Sequence, residues 1–302
     1  MSETMRVGII GLDTSHVGAF TRFLNDPSTD GHQEGAKVTV AWPAGSPDMP
    51  ASRDRIEGFT AELRDKFGVA IVDSPEAVVA ASDAILLCSV DGRVHHAQFA
   101  RIAAAGKPVF IDKPFAASVK DAEAMAALAR QHGTRVFTSS ALRFSTALTD
   151  ALAGEADDPV TGADFCGPMA IDPTNPGFFW YGVHTIEMLF RCLGKGCRSV
   201  LADSSEAHDC LIGRWDDGRF GVIRGNRTGD NGFHGMVHFR DRTVHINVAS
   251  AQRSYFAGLL EAVVAFFKGG EAPVPLETSV EIVRFMEAGN RSRLSRQVES
   301  LY

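Results

Sequence analysis

The chain has 302 residues, 45% hydrophobic and 22% charged, and 30 Lys and Arg against 37 Asp and Glu give a formal charge of −7. That length suits about two ordinary domains, and the composition excludes a disordered tail, a collagen and a coiled coil. No apolar run approaches the roughly 20 residues of a membrane span, and no basic block interleaved with aromatics marks a nucleic-acid groove, so neither partner is expected. In chain order, Arg6 to Ile10 reads as a strand, and Val17, Phe20 and Leu24 line one face of a following helix. Further short apolar runs fall at Val38 to Trp42, Val69 to Val72, Ala84 to Cys88, Val109 to Ile111 and Val136 to Thr138, with helical spacing between them, as at Ile56, Phe59, Leu63 and Phe67. Buried strands alternating with amphipathic helices predict a doubly wound parallel sheet covered on both faces.

After Phe144 the alternation gives way to loops rich in Gly, Pro and Asp, then one helix from about Gly182 to Leu193. Arg198 to Val248 reads as short strands separated by the turn signals Asp217-Gly218 and Asp230-Asn231-Gly232, which predicts an open antiparallel sheet. Tyr255 to Phe267 and Ser279 to Ala288 return to helical spacing. The expected division is an α/β half over residues 1–145 and an α+β half over 146–302.

Several segments bear on chemistry. Val7 to Phe20, VGIIGLDTSHVGAF, stands where a Rossmann fold has its phosphate-binding turn, and predicts a dinucleotide site on Gly11, Leu12, Asp13, Thr14, Ser15 and His16. Gly11 alone satisfies G-x-G-x-x-G, since Asp13 and His16 replace the later glycines. A carboxylate facing a pyrophosphate would repel it, so Asp13 is expected to turn away and cap the helix through the amides near Ser15 and His16. The second strand ends in Ala41-Trp42-Pro43 without an acidic residue, and the loop beyond it holds Ser46, Asp48, Arg53 and Arg55. NAD against NADP stays open, and the arginines read as a solvated helix start. In KPVFIDKP, Asp112 and Lys113 project from a strand end, where burial would bring a lysine toward a pKa useful for proton transfer.

Lys107 to Pro114 resembles the A-G-K-x-V-x-x-E-K-P signature of the Gfo/Idh/MocA oxidoreductases, with Asp112 in place of Glu. SVDGRVHHAQFARIAAAGK resembles the family's T-P-N-x-x-H stretch, ALRFSTAL its R-F-x-P strand exit, and PGFFWYGVHTIEMLF its D-x-x-x-H-x-x-D helix. The resemblance implies a Rossmann dinucleotide-binding domain before an α+β domain for substrate and oligomerisation. It implies NAD or NADP as cofactor, contacted also by Ser89, Val90, His95, Asp112, Lys113 and Arg143. It implies further that Lys113 holds a substrate hydroxyl and that His184 exchanges its proton, with Trp180, Tyr181 and Asn175 beside the substrate and Arg224 and His234 as weaker candidates. Trp180 stands where the motif has its first Asp. From its own surroundings His184 reads rather as a core histidine, because Val183, Ile186, Leu189 and Phe190 supply an apolar face.

These readings predict an NAD(P)-dependent oxidoreductase acting on a hydroxyl or keto carbon of a sugar, cyclitol or similar small polar substrate. A non-redox lyase or epimerase on the same fold, or a ligand sensor, is the alternative. Cys88, Cys166, Cys192, Cys197 and Cys210 lack C-x-x-C spacing and the histidines lack H-E-x-x-H, so neither a disulfide framework nor a metal is expected. The start MSETMRVGII lacks a secretion signal's basic and apolar regions. A cytoplasmic homodimer or homotetramer is the expectation.

Overall fold

Short runs of branched apolar residues flanked by turn formers make strands, and six of them form the first sheet of the computed structural model, which describes residues 4–302. Strands β1 (Met5–Ile10), β2 (Ala36–Trp42), β3 (Ala70–Ile71), β4 (Ala84–Leu87), β5 (Val109–Ile111) and β6 (Val136–Thr138) pair in parallel in the order β3-β2-β1-β4-β5-β6. Between them run helices α1 (Ser15–Asn25), α2 (Pro50–Arg53), α3 (Ile56–Ala61), α4 (Pro75–Ala81), α5 (His95–Ile102) and α6 (Val119–His132). The helix expected over Ile56 to Phe67 is α3 continued by a wider π turn at Glu62–Lys66. Strand order reverses at β1 and β4, so a crevice for a ligand lies at the carboxyl ends of these strands.

The rest of the chain runs through α7 (Thr146–Leu152), β7 (Val160–Pro168), α8 (Val183–Leu193), β8 (Cys197–Ser204), β9 (His208–Trp215), β10 (Phe220–Asn226), β11 (His234–Phe239), β12 (Thr243–Asn247), α9 (Tyr255–Phe267), α10 (Leu276–Ser295) and β13 (Glu299–Ser300). Its sheet has the order β12-β11-β7-β10-β9-β8-β13. It is mixed rather than purely antiparallel, because β7 and β10 run parallel. Strand β7 lies inside a stretch expected to be loop. Its sequence, VTGADFCGP, hides the alternation behind two glycines and a terminal proline, yet Val160, Gly162, Ala163, Phe165 and Gly167 supply its buried positions with small or apolar groups. Gly167 is required by packing, since a Cβ there would lie 2.5 Å from the Phe233 ring. One sheet face, with Ala163, Phe165, Ile223 and Val237 buried, packs with α8. The alternating residues, including Phe220 and Met236, line the other face and are exposed.

The chain divides into two compact units, residues 4–139 with 256–277 and residues 140–255 with 278–302. The division differs from the expected 1–145 and 146–302 in one respect that matters: α9 packs in the first unit. Phe256 meets the rings of His16 at 5.1 Å and Phe20 at 5.8 Å, and Phe266 meets Phe137 at 5.7 Å. An apolar helix read from spacing alone carries no address, and so its partner sheet was assigned by proximity in the chain.

Candidate active site

In the first unit, the exits of β1, β4 and β5 gather most of the residues expected to hold a cofactor. Gly11 leaves β1 at φ +89°, and a Cβ there would lie 2.3 Å from Ser89 Oγ and 2.4 Å from Ser89 N. It therefore serves the close approach of two strand exits. Leu12 is buried in the core, and Thr14 caps α1, its hydroxyl accepting from His16 N at 3.4 Å, while Ser15 is exposed at the first turn.

Asp13 does not cap that helix, contrary to expectation. Its buried carboxylate points inward, accepting from Ser52 Oγ at 2.7 Å and from the Val90 N–H at 2.9 Å. Thr14 holds the capping position, which leaves Asp13 to tie the turn to the loops after β2 and β4. Burial pushes its carboxyl above the usual range, against the opposing pull of those hydrogen bonds.

His16 and Asp112 are partners, with Nδ1 and Oδ2 2.6 Å apart, and the other Asp112 oxygen accepts from the Lys113 N–H at 2.8 Å. Two residues that depart from the family pattern thus meet each other. Burial works to raise the Asp112 carboxyl, but His16 and then Lys113 outweigh it and hold the group below its ordinary value. Lys113 is buried at the β5 exit. Burial lowers its amine below the ordinary lysine value, Asp112 works in the other direction, and Arg55 adds to the lowering.

The remaining candidates here have internal partners. Ser89 Oγ donates to Gln98 Oε1 at 2.9 Å, the Val90 amide serves Asp13, and the buried His95 ring faces the carbonyls of Ser89 at 2.7 Å and Phe115 at 3.2 Å. Arg53 is a solvated helix residue as expected, paired with Asp54. Arg55 is not, because its Nη2 is buried with no hydrogen-bond partner. The positive start of α1, the buried lysine and this unfilled guanidinium donor suit a ligand bearing phosphates. The residues present therefore fit a dinucleotide despite the missing glycines.

In the second unit, His184 stands in the first turn of α8. Its Nδ1 lies 2.8 Å from Ser140 Oγ, and its ring meets Tyr181 at 5.4 Å and Phe233 at 5.8 Å, both edge-on. Gly182 precedes the helix because a Cβ would come 2.8 Å from the Phe178 carbonyl oxygen. Trp180 packs on Tyr181 with ring centroids 6.4 Å apart, and Asn175 is buried. Arg143 is buried in this unit, where Nη1 donates to the Glu187 carboxylate at 3.1 Å and to its carbonyl at 3.0 Å. Arg224 and His234 lie on the sheet face away from α8, beside a shallow pocket with Met236 and Asp164. Sequence reasoning missed Ser140, Ser52 and the buried end of Arg55. The serines are small polar residues beside a strand end and in a four-residue helix, with no spacing signal, and Arg55 stands among charged neighbours that make its segment look solvated.

A parallel sheet of order 3-2-1-4-5-6 with a tight first βα turn gives the first unit a Rossmann-type fold. Residues 5–140 match the family model GFO_IDH_MocA, described as an oxidoreductase family with an NAD-binding Rossmann fold. An inositol 2-dehydrogenase from Cereibacter sphaeroides is 38% identical over 116 residues, which are 37% of this chain and 29% of the relative. The chain thus spans less than a third of the length of the curated relatives it matches.

Over nearly the whole chain, the fold is shared with solved structures. GenD2 from gentamicin A biosynthesis, in complex with NAD, superposes with a TM-score of 0.80 at 16% identity, covering 99% of this chain and 97% of that one. Scyllo-inositol dehydrogenase from Lactobacillus casei, with NAD(H) and scyllo-inositol bound, gives 0.78 at 15% identity and covers 99% of both. Likeness at this identity is one of fold.

Proposed function

We propose that the chain is an NAD(P)-dependent oxidoreductase that moves a hydride between nicotinamide and a hydroxyl or keto carbon of a cyclitol, sugar or related small polar substrate. The observation that carries this reading is Lys113, buried at the β5 exit of a family-matched Rossmann sheet with its amine lowered by burial. The names of the relatives, inositol dehydrogenases among them, support the substrate class. The backbone from Gly11 to His16, the β4 exit at Ser89 and Val90, and Lys113 are the groups that would hold the cofactor. When bound, it supplies the hydride chemistry.

The protein's own part is to orient and to move a proton. Lys113 Nζ donates to the reacting oxygen and steadies the negative charge that grows there as the hydroxyl loses its proton. In the second unit, His184 Nε2 takes a proton in oxidation and returns it in reduction. Ser140 holds the opposite ring nitrogen, and a hydroxyl can donate to Nδ1 or accept from it. It therefore supports both tautomers, a task the family motif gives to a carboxylate at the position of Trp180. Tyr181 and Phe233 pack edge-on against the ring.

Calorimetric titration with NAD+, NADH, NADP+ and NADPH tests the cofactor. Lys113→Met and His184→Ala should each lower turnover on a cyclitol and sugar panel by about a hundredfold or more, with melting temperature unchanged. Absence of dinucleotide binding moves the chain to the non-redox alternative. A His184→Ala protein that melts early but keeps its activity per folded molecule makes this a core histidine. No helix among the described residues is long and apolar enough to cross a membrane. A cytoplasmic homodimer or homotetramer, joined through the sheet face that exposes Phe220 and Met236, completes the proposal, and native mass spectrometry reads the stoichiometry.

A further inference from the structure

The segment between β2 and α3 folds back over the turn after β1 and is tied down at two points. Ser52 Oγ donates to Asp13 Oδ2 at 2.7 Å while accepting from the Ser46 N–H at 2.7 Å. Arg93, in the loop after β4, donates to both oxygens of Asp48 at 3.0 Å and to Asp91 at 2.7 Å. Asp13, the residue that spoils the glycine fingerprint, is thus the anchor of this strap.

Anchoring Ser52 sets the place of Arg55, whose N–H donates to the Ser52 carbonyl at 3.1 Å. The Arg55 Nε donates to the Ala51 carbonyl, which fixes the root of the guanidinium, but Nη2 is buried and unpartnered. A buried donor left unmade is costly, and each such group in a folded protein calls for a partner or a function. Arg55 is also close enough to Lys113 to act on it as a like charge. The surrounding carboxylates are engaged elsewhere: Asp13 by Ser52 and the Val90 amide, Asp112 by His16, and Asp48 and Asp91 by Arg93. The crevice therefore holds two neighbouring cations and an unmet guanidinium N–H.

Resting on the nicotinamide reading above, we propose that Arg55 binds a phosphate group of the dinucleotide, replacing with a side chain the close backbone contact that the missing glycines would have allowed. A guanidinium suits this role because its planar fork matches two phosphate oxygens at once, and rotation about its terminal bonds brings Nη2 out to meet them. The pyrophosphate, common to NAD and NADP, and the 2′-phosphate of NADP share this chemistry. Strand β2 ends in Trp42 and presents no carboxylate for a ribose hydroxyl, so neither source is disfavoured by charge.

The test is calorimetric titration of the full-length wild type, Arg55→Met and Arg55→Lys with NAD+ and NADP+, each protein also melted to verify its fold. Arg55→Met should weaken binding about tenfold or more, which is ~1.4 kcal/mol per decade, and Arg55→Lys should keep part of the affinity. Equal loss for both nucleotides assigns the pyrophosphate, and loss confined to NADP+ assigns the 2′-phosphate. Should Arg55→Met fail to fold, Arg55→Lys decides, since the ammonium retains the charge without the fork. Unchanged affinities in a folded variant overturn the role of Arg55 and leave the cofactor reading standing. A wild type that binds neither nucleotide overturns both.

Discussion

Asp13 and Asp112 are buried carboxylates at the exits of β1 and β5, and their surroundings push them in opposite directions. At Asp112, His16 and Lys113 outweigh burial, so the folded state lowers the group's pKa and the pairing adds stability at neutral pH that is lost as pH falls through the lowered value. At Asp13, burial outweighs two neutral hydrogen bonds and raises the group above its ordinary 3.8. The folded state then binds the proton more readily than the unfolded chain does, so stability declines as pH rises from about the unfolded value through the raised folded one. Asp13→Asn keeps an acceptor for the Val90 amide, and the Ser52 hydroxyl can turn to accept from the new amide. The variant should melt above the wild type at pH 7 to 8, with the advantage shrinking toward pH 4. Scanning calorimetry across that range checks it, and a difference that stays constant with pH would mean that Asp13 titrates as it does in the unfolded chain.

Among the elements, β1 and β4 show why a glycine can survive when its motif does not. Gly11 combines a left-handed backbone with a Cβ position that runs into the backbone nitrogen of Ser89 as well as its side chain. Gly11→Ala should therefore cost about 3 kcal/mol or more, and the double variant with Ser89→Gly should recover little, because the backbone clash stays. Chemical denaturation of both proteins measures this, and full rescue would show that the serine side chain was the obstacle. The strands flanking this exit were legible because parallel sheets bury both faces of a strand and write it as an apolar run; β5 and β6 match their sequence limits at Val109–Ile111 and Val136–Thr138. Strand β7 was not legible, because a strand packed closely under a helix uses glycine where a reader looks for valine. The same division holds within the site. Lys113 and His184 stand on motifs with fixed spacing, whereas Ser52, Ser140 and the strap are joined to their partners across 39 to 45 residues by contacts that no local pattern encodes.

At the scale of the whole molecule, the first unit is discontinuous, and the returning segment is held to it at both ends. Phe256 enters beside His16 and Phe20, while at the far end of α9 Arg135 donates to the carbonyls of Phe266 and Gly270 and stacks over the Phe266 ring, 4.5 Å from its centroid. Lys268 adds a bond to the Glu34 carbonyl at 3.1 Å. Removing this helix strips cover from Phe20 and Phe137, both fully buried, and takes from Arg135 the carbonyls of Phe266 and Gly270 that it donates to. A fragment ending at residue 145, where the sequence alone would cut, should then bind a hydrophobic dye and lack a cooperative melt. A fragment joining residues 1–139 to 256–277 through a flexible Gly/Ser linker should melt cooperatively, since it restores the aromatic contacts and the Arg135 cap together. Circular dichroism melts of the two fragments side by side check this. Cooperative unfolding of the shorter one would show that the six-stranded sheet and its own crossover helices suffice, and that α9 is a passenger on the unit it covers.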